Sequence, residues 1–136
     1  MGIEPAWTVA ARYYKLADVH GYEGFLSKVK EMEALGGTLA VLFTGSIDPS
    51  SGKSWCPDCV VAEPIVDSVM KDKTEVHFLR VFVGPRDFWK DPQCPFRTNP
   101  DTRLKSIPTL IIWKSQSKLD GSDITDSNLI AMLFED

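Results

Sequence analysis

The sequence predicts an α/β fold, a mixed-sheet sandwich with helices packed on the sheet. Three observations carry that expectation. Residues 38–44 and 76–83 are nearly continuous apolar runs, the pattern of central strands buried on both faces. Apolar residues recur at helical spacing after residue 21 and again after residue 57. Two late β-rich stretches, 109–113 and 118–119, precede a last helical stretch, so strand–helix alternation gives way to a strand pair and a helix.

Taken in order, residues 13–19 suit a first strand. Gly21 opens a helix in which Tyr22, Phe25, Leu26 and Val29 form one stripe, and Gly36-Gly37 stops it. After the strand at 38–44, residues 45–54 are rich in Ser, Gly and Pro and read as a polar loop. A second helix begins around Pro57, where the missing N–H had no helical partner to lose. Its apolar positions are Val60, Val61, Ile65, Val66 and Val69, and Pro64 inside it should kink it. Gly84-Pro85 ends the strand at 76–83. Residues 86–103 carry three prolines and read as a long ordered loop with a short helical turn. Lys118-Leu119 suits a short edge strand, and Asp126 or Ser127 caps a helix running to Phe134. No repeat or linker divides the chain, so residues 1–136 read as a single domain.

Composition excludes several functions. With 43% hydrophobic and 25% charged residues the chain is ordinary for a globular protein, which argues against disorder. Fifteen basic and nineteen acidic residues give a net charge of −4, so nucleic acid is not an expected partner. The longest wholly apolar run, residues 39–43, is far shorter than the ~20 residues that span a bilayer. The first residues show no secretory signal, and Ala6 stands where a myristoylation motif requires Ser or Thr. No membrane association and a cytoplasmic location are the expectations.

Three cysteines are too few for a disulfide scaffold at this length. Cys56 and Cys59 form a C-x-x-C pair, and Cys94 stands apart as a bystander thiol. Such a pair is either redox-active or half of a metal site. Zinc needs about four ligands, usually from a second close-spaced pair, and Cys94, His20 and His77 are not paired by spacing. His77 also lies in a strand, where packing is the simpler role. No metal is expected. For redox chemistry the position is apt: the pair follows a buried strand and a loop and opens a helix. Unpaired N–H groups and the helix dipole favour a thiolate on Cys56, lowering its pKa from about 8.5 to about 7 or below. Cys59, one turn on, can then attack a mixed disulfide formed on Cys56.

Ile107-Pro108-Thr109 stands just before an apolar strand, where the thioredoxin fold places a cis proline against its C-x-x-C. With the strand–loop–Trp-Cys-x-x-Cys–helix order and Pro64 beyond Cys59, the chain resembles the thioredoxin-fold superfamily over essentially its whole length. Within it, Phe43-Thr44-Gly45-Ser46, the run Lys53-Ser54-Trp55-Cys56-Pro57-Asp58-Cys59, Ala62-Glu63-Pro64, and Trp89-Lys90-Asp91-Pro92 with Phe96-Arg97 are similar to the thioredoxin domain-containing protein 17 family. The resemblance implies a thioredoxin-like three-layer sandwich, α/β, with a central mixed β-sheet flanked by helices. It also implies a cytosolic disulfide reductase with no bound cofactor, whose Cys56–Cys59 disulfide takes electrons from NADPH through thioredoxin reductase. Implied substrates are small disulfides such as cystine and selected oxidised proteins. The same family suggests a second role, a redox-sensitive signalling adaptor with a partner such as a dynein light chain. A monomer is expected.

Roles follow residue by residue. Cys56 is the nucleophile and Cys59 the resolving thiol. Pro57 and Asp58, between them, tune the thiolate; the charge of Asp58 suits a helix start yet disfavours a neighbouring anion. Trp55, Ile107 and Pro108 are the candidate substrate-binding residues: Trp55 either packs beside the redox pair or also meets substrate, and Pro108, if cis, would place a neighbouring backbone group to pair with an extended substrate strand. The buried acid of ordinary thioredoxins is replaced by Leu42, and Glu63 or Asp58 is the candidate for proton transfer; Glu63 follows Cys59 on the same helix face. Lys53, Lys90 and Arg97 either attract an anionic substrate or form a solvated surface.

Overall fold

The structure, a computed structural model, describes residues 16–73, 75–115 and 117–135. Along the chain come β1 (Leu16–His20), α1 (Gly21–Glu33), β2 (Thr38–Thr44), β3 (Ile47–Asp48), β4 (Lys53–Ser54), α2 (Pro57–Met70) and β5 (Val76–Phe82). Then follow α3 (Arg86–Lys90), α4 (Pro95–Thr98), β6 (Thr109–Ile112), β7 (Lys118–Asp120), a 3-10 turn (Gly121–Thr125) and α5 (Ser127–Met132).

Five strands form one sheet in the order β1-β5-β2-β6-β7. β5 pairs in parallel with β1 and β2, whereas β6 runs antiparallel to both β2 and β7. The mixed sheet of the sequence expectation is therefore present, with β2 at its centre. Side chains on β2 alternate between two apolar layers. Leu39, Val41 and Phe43 face one, with Phe25, Val29 and Met32 of α1 and with Trp89 and Phe96 of the α3–α4 region. Ala40 and Leu42 face the other, with Ala62, Val66 and Met70 of α2 and with Ile124 and Ile130. Burial on both faces is why the run carries no polar alternation. Leu42, fully buried in the α2 layer, is an apolar element of that packing.

Phe25 anchors the first layer. It is fully buried and meets Phe43 and Trp113 edge-on, with ring centroids 5.3 and 5.7 Å apart. Burying such a ring stabilises by about 1.5–3 kcal/mol. Arg80 binds three elements together: it pairs with Asp18 of β1 at 3.1 Å and with Glu63 and Asp67 of α2, each at 3.4 Å. Burial works against its charge, but the hydrogen bond and field of Asp18, with the charges of Asp67 and Glu63, outweigh it and raise the guanidinium pKa.

Several expectations shift. The first strand begins at Leu16, and residues 13–15 of the expected range lie outside the described residues. The 45–54 loop contains the β3–β4 hairpin, two residues per strand, closed where the Ser50 N–H and hydroxyl both bond the Asp48 carboxylate at 2.9 and 2.8 Å. Those bonds hold Asp48 below the usual carboxylate range. Residues 86–103 hold two short helices rather than one turn. Val60 and Val61 are exposed, because the buried face of α2 is Cys59, Ala62, Val66 and Met70, at spacings of three and four. Pro64 lies inside α2, on its exposed side. The last helix is capped by Asp126, whose Oδ1 accepts from the N–H groups of Asn128 and Leu129, and ends at Met132 rather than Phe134.

Candidate active site

The strand β2 ends at the site. Thr44 is its last residue, and Gly45 turns the chain into the hairpin that delivers Trp55 and Cys56 to the start of α2. Local hydrogen bonds hold that return. The Trp55 N–H donates to the Ser46 carbonyl at 3.2 Å, and the Ser54 hydroxyl donates to the Gly45 carbonyl at 2.8 Å. The same Ser54 oxygen accepts the Cys56 N–H at 3.2 Å. Trp55 is anchored sideways, its Nε1–H bonded to the Gly84 carbonyl at 2.8 Å just past β5. The indole is thus a wall of the site with a locked orientation.

Cys56 occupies the N-cap of α2 in extended conformation, and Pro57 takes the first helical position. The sulfur itself does the capping: the Cys59 N–H donates to Cys56 Sγ at 3.2 Å. A sulfur so placed accepts a helix N–H at the positive end of the helix dipole, a position that suits negative charge. Cys56 and Cys59 are joined as a disulfide. The Gly45 N–H lies 3.4 Å from Cys59 Sγ, giving the second sulfur its own donor. Cys59 is fully buried, whereas Cys56 lines an open cleft. That asymmetry makes Cys56 the sulfur a substrate can reach.

The peptide bond Ile107–Pro108 is cis, as anticipated, and the Ile107 carbonyl oxygen lies 3.8 Å from Cys56 Sγ. The cleft has a volume of about 640 Å³ and is bounded by Trp55, Cys56, Pro57 and Asp58 on one side and by Ser106 and Ile107 on another. Its remaining lining is Arg86, Trp89, Lys90, Arg97 and Lys105. Trp55, Pro57, Asp58 and Ile107 therefore line the cleft together with Cys56, and Pro108 is buried. Lys53 does not join them; it sits on β4, outside the lining. Arg86 and Lys105 were not singled out in the sequence, because only the paths of two loops bring them there. Cys94 is buried in the α1 layer with a free thiol.

Glu63 follows Cys59 on α2 but turns toward the sheet. Its Oε2 accepts the Thr44 hydroxyl at 2.7 Å, and its Oε1 pairs with Arg80. Asp58 is exposed at the cleft edge. Among the described residues the hydrogen bonds to the two sulfurs come from the backbone N–H groups of Gly45 and Cys59. Nor do the described residues bring three or more His, Cys, Asp or Glu together as a metal would require.

Comparison with known proteins agrees with this geometry. The family model for the thioredoxin domain of thioredoxin domain-containing protein 17-like proteins matches residues 18–136. The chain belongs to the thioredoxin domain-containing protein 17 family. It is similar to the human protein of that name, 40% identical over 127 residues that cover 93% of this chain and 98% of the relative. The mouse protein is 39% identical over 124 residues, 90% of this chain and 97% of the relative. A thioredoxin-like protein Clot of Oryza sativa subsp. japonica is 42% identical over 88 residues, covering 61% of this chain and 63% of that protein. Membership in this thioredoxin-like family supports a thiol oxidoreductase type of function, and the Cys56–Cys59 pair is the group that would carry it.

Proposed function

We propose that the protein is a cytosolic disulfide reductase of small disulfides such as cystine and of selected oxidised protein thiols. The observation that carries this reading is the placement of Cys56: an N-capping sulfur held by the Cys59 N–H, at the floor of an open cleft, with Cys59 buried behind it. In the reduced protein the Cys56 thiolate attacks one sulfur of the substrate. The substrate S–S bond breaks, a Cys56 mixed disulfide forms, and one substrate half leaves as a thiolate. Cys59 then loses its proton and attacks Cys56 Sγ, so the second half leaves and the Cys56–Cys59 disulfide closes. Two electrons have passed to the substrate. Thioredoxin reductase, drawing on NADPH, is the proposed source that restores the dithiol.

The Ile107 carbonyl at the cleft wall offers a backbone acceptor to an extended substrate, and the Trp55 indole covers the other side. Because the cleft is walled by the start of α2, by α3 and α4 and by the loop before β6, bulky protein disulfides are expected to react poorly. The test follows NADPH oxidation with thioredoxin reductase, this protein and either cystine or a bulky protein disulfide. Turnover with cystine well above that with the protein disulfide supports the reading. No turnover with either, although the Cys56–Cys59 bond is reducible, would overturn it in favour of a redox-sensitive adaptor.

Glu63 is the proposed acceptor of the Cys59 proton, relayed past Thr44, because it is the half-buried carboxylate nearest that end of β2. Glu63→Gln is expected to slow resolution of the mixed disulfide by roughly tenfold, below the ~10²-fold of a directly positioned base. It should also change the pH–rate profile of that step. A lowered Tm with an unchanged profile would leave Glu63 with a purely structural role, as the partner of Thr44 and Arg80.

A further inference from the structure

The cleft beside Cys56 has a charge that the chain as a whole does not. The protein carries a net charge of −4, yet the cleft lining holds Arg86, Lys90, Arg97 and Lys105 against the single carboxylate of Asp58. These four cations come from three separate segments: α3, α4 and the loop before Pro108. Solvated charges scatter over a surface, whereas these converge on one concavity that also holds the reactive sulfur. Two of them, Arg86 and Lys90, stand four residues apart on one short helix, an arrangement of like charges that weakens a helix. Among the described residues none of the four forms an ion pair, while Arg80, Lys28 and Lys114 do.

Arg97 is also built into place. Its guanidinium lies 3.9 Å above the Trp89 ring, and its Nε–H donates to the Trp89 carbonyl at 2.8 Å. Trp89 is itself nearly buried, so the platform under the guanidinium is part of the core. The stacking and the Nε bond settle the plane of the group and leave its terminal N–H donors for the cleft. A planar fork held in this way suits a carboxylate, and little side-chain freedom is lost when one binds.

We propose that this cleft selects disulfides that bear carboxylates within a few bonds of the sulfurs, with Arg97 as the anchor and Arg86, Lys90 and Lys105 supplying the field. The proposal rests on Cys56 as the attacking sulfur and names the substrate class of that site. A carboxylate seated on Arg97 holds the disulfide in the cleft that Cys56 lines. The cations also favour the leaving half, which departs as a thiolate carrying its own carboxylate. A volume of about 640 Å³ admits a small organic or short peptide disulfide.

The test measures single-turnover rates of the reduced full-length protein with three disulfides of similar size: dianionic 3,3′-dithiodipropionate, neutral bis(2-hydroxyethyl) disulfide and dicationic cystamine. Each rate is divided by that of 2-mercaptoethanol with the same disulfide, which removes intrinsic reactivity. At low salt the normalised rate is expected to fall from dianion to neutral to dication by about tenfold per step, at the low end of electrostatic steering. The spread should shrink severalfold at high ionic strength. Arg97→Gln and, separately, Lys105→Gln should each cut the dianion-to-neutral ratio about threefold or more. Lys53→Gln removes the same charge outside the cleft and should leave that ratio at its original value. Equal normalised rates for the three probes would overturn the selectivity while leaving the reductase reading intact. A change in ratio from Lys53→Gln as large as from Lys105→Gln would also overturn it, since net charge alone would then be responsible. No reaction with any probe would instead refute Cys56 as a disulfide-reducing thiolate, and the selectivity with it.

Discussion

Replacing Cys56 with serine is expected to abolish disulfide reduction, whereas replacing Cys59 with serine should stop the cycle one step later with the substrate attached. The difference follows from where each sulfur sits. Cys56 lines the cleft and receives the Cys59 N–H, so it is both reachable and stabilised as an anion. A serine hydroxyl in its place keeps the cap, because oxygen also accepts from a helix N–H, but it stays protonated near neutral pH and is not a useful nucleophile toward sulfur. The fall in rate should exceed about 10³-fold, in line with loss of an attacking group from a concerted site. Stability should change little. Cys59 is fully buried and cannot be reached by a disulfide in the cleft. In Cys59→Ser the first attack still occurs, and the mixed disulfide on Cys56 persists for want of a resolving thiol. Intact-protein mass spectrometry after exposure to cystine should show one added cysteinyl group on Cys59→Ser and none on Cys56→Ser. An adduct on Cys56→Ser instead would reverse the two roles.

Much of this was legible in the chain because the signals are local. The β2 strand was read to the residue, since a run buried on both faces needs no partner to declare itself. The Cys56–Pro57 helix start was equally plain, because proline at the first position and a capping side chain before it are adjacent in sequence. Where burial depends on which face meets the sheet, counting apolar residues misled: Val60 and Val61 are the exposed members of a helix whose buried face includes Ala62 and Cys59. The β3–β4 hairpin carries its pairing in two residues per strand, too few for a period to show. Trp89 and Arg97 were visible as motif residues, but their stacking was not, and it is this contact that orients the guanidinium. Lys105 illustrates the limit best. Nothing near it in sequence marks it, and it shares the cleft lining with Cys56 only through the path of the loop that precedes β6.

Gly45→Ala should disturb both sulfurs at once, and it separates packing from chemistry better than a change to either cysteine. A Cβ at residue 45 would lie 2.9 Å from the Cys56 Cβ, 2.9 Å from the Ser54 hydroxyl oxygen and 3.0 Å from Cε2 of Trp55. None of these neighbours is free to retreat. Ser54 is bonded to the Gly45 carbonyl and to the Cys56 N–H, and the Trp55 indole is tied to Gly84. The strain therefore moves the backbone, at about 1–3 kcal/mol for overpacking a well-packed site, or a Tm lower by roughly 3–15 °C. The Gly45 N–H is the donor to Cys59 Sγ and the added Cβ presses on Cys56, so the same displacement disturbs both sulfurs, including the Cys59 N–H bond that favours the Cys56 thiolate in the reduced pair. Losing stabilisation of the dithiol form makes the disulfide harder to reduce, and the reduction potential should become more negative. Equilibration against a glutathione redox buffer measures that shift directly. Gly24→Ala provides the comparison, because its Cβ would meet only Val19 Cγ2, at 2.8 Å, within the α1 layer and away from the pair. It should lower Tm without moving the potential. If Gly45→Ala shifted Tm but left the potential where it was, the Gly45 N–H would have no part in setting the redox balance.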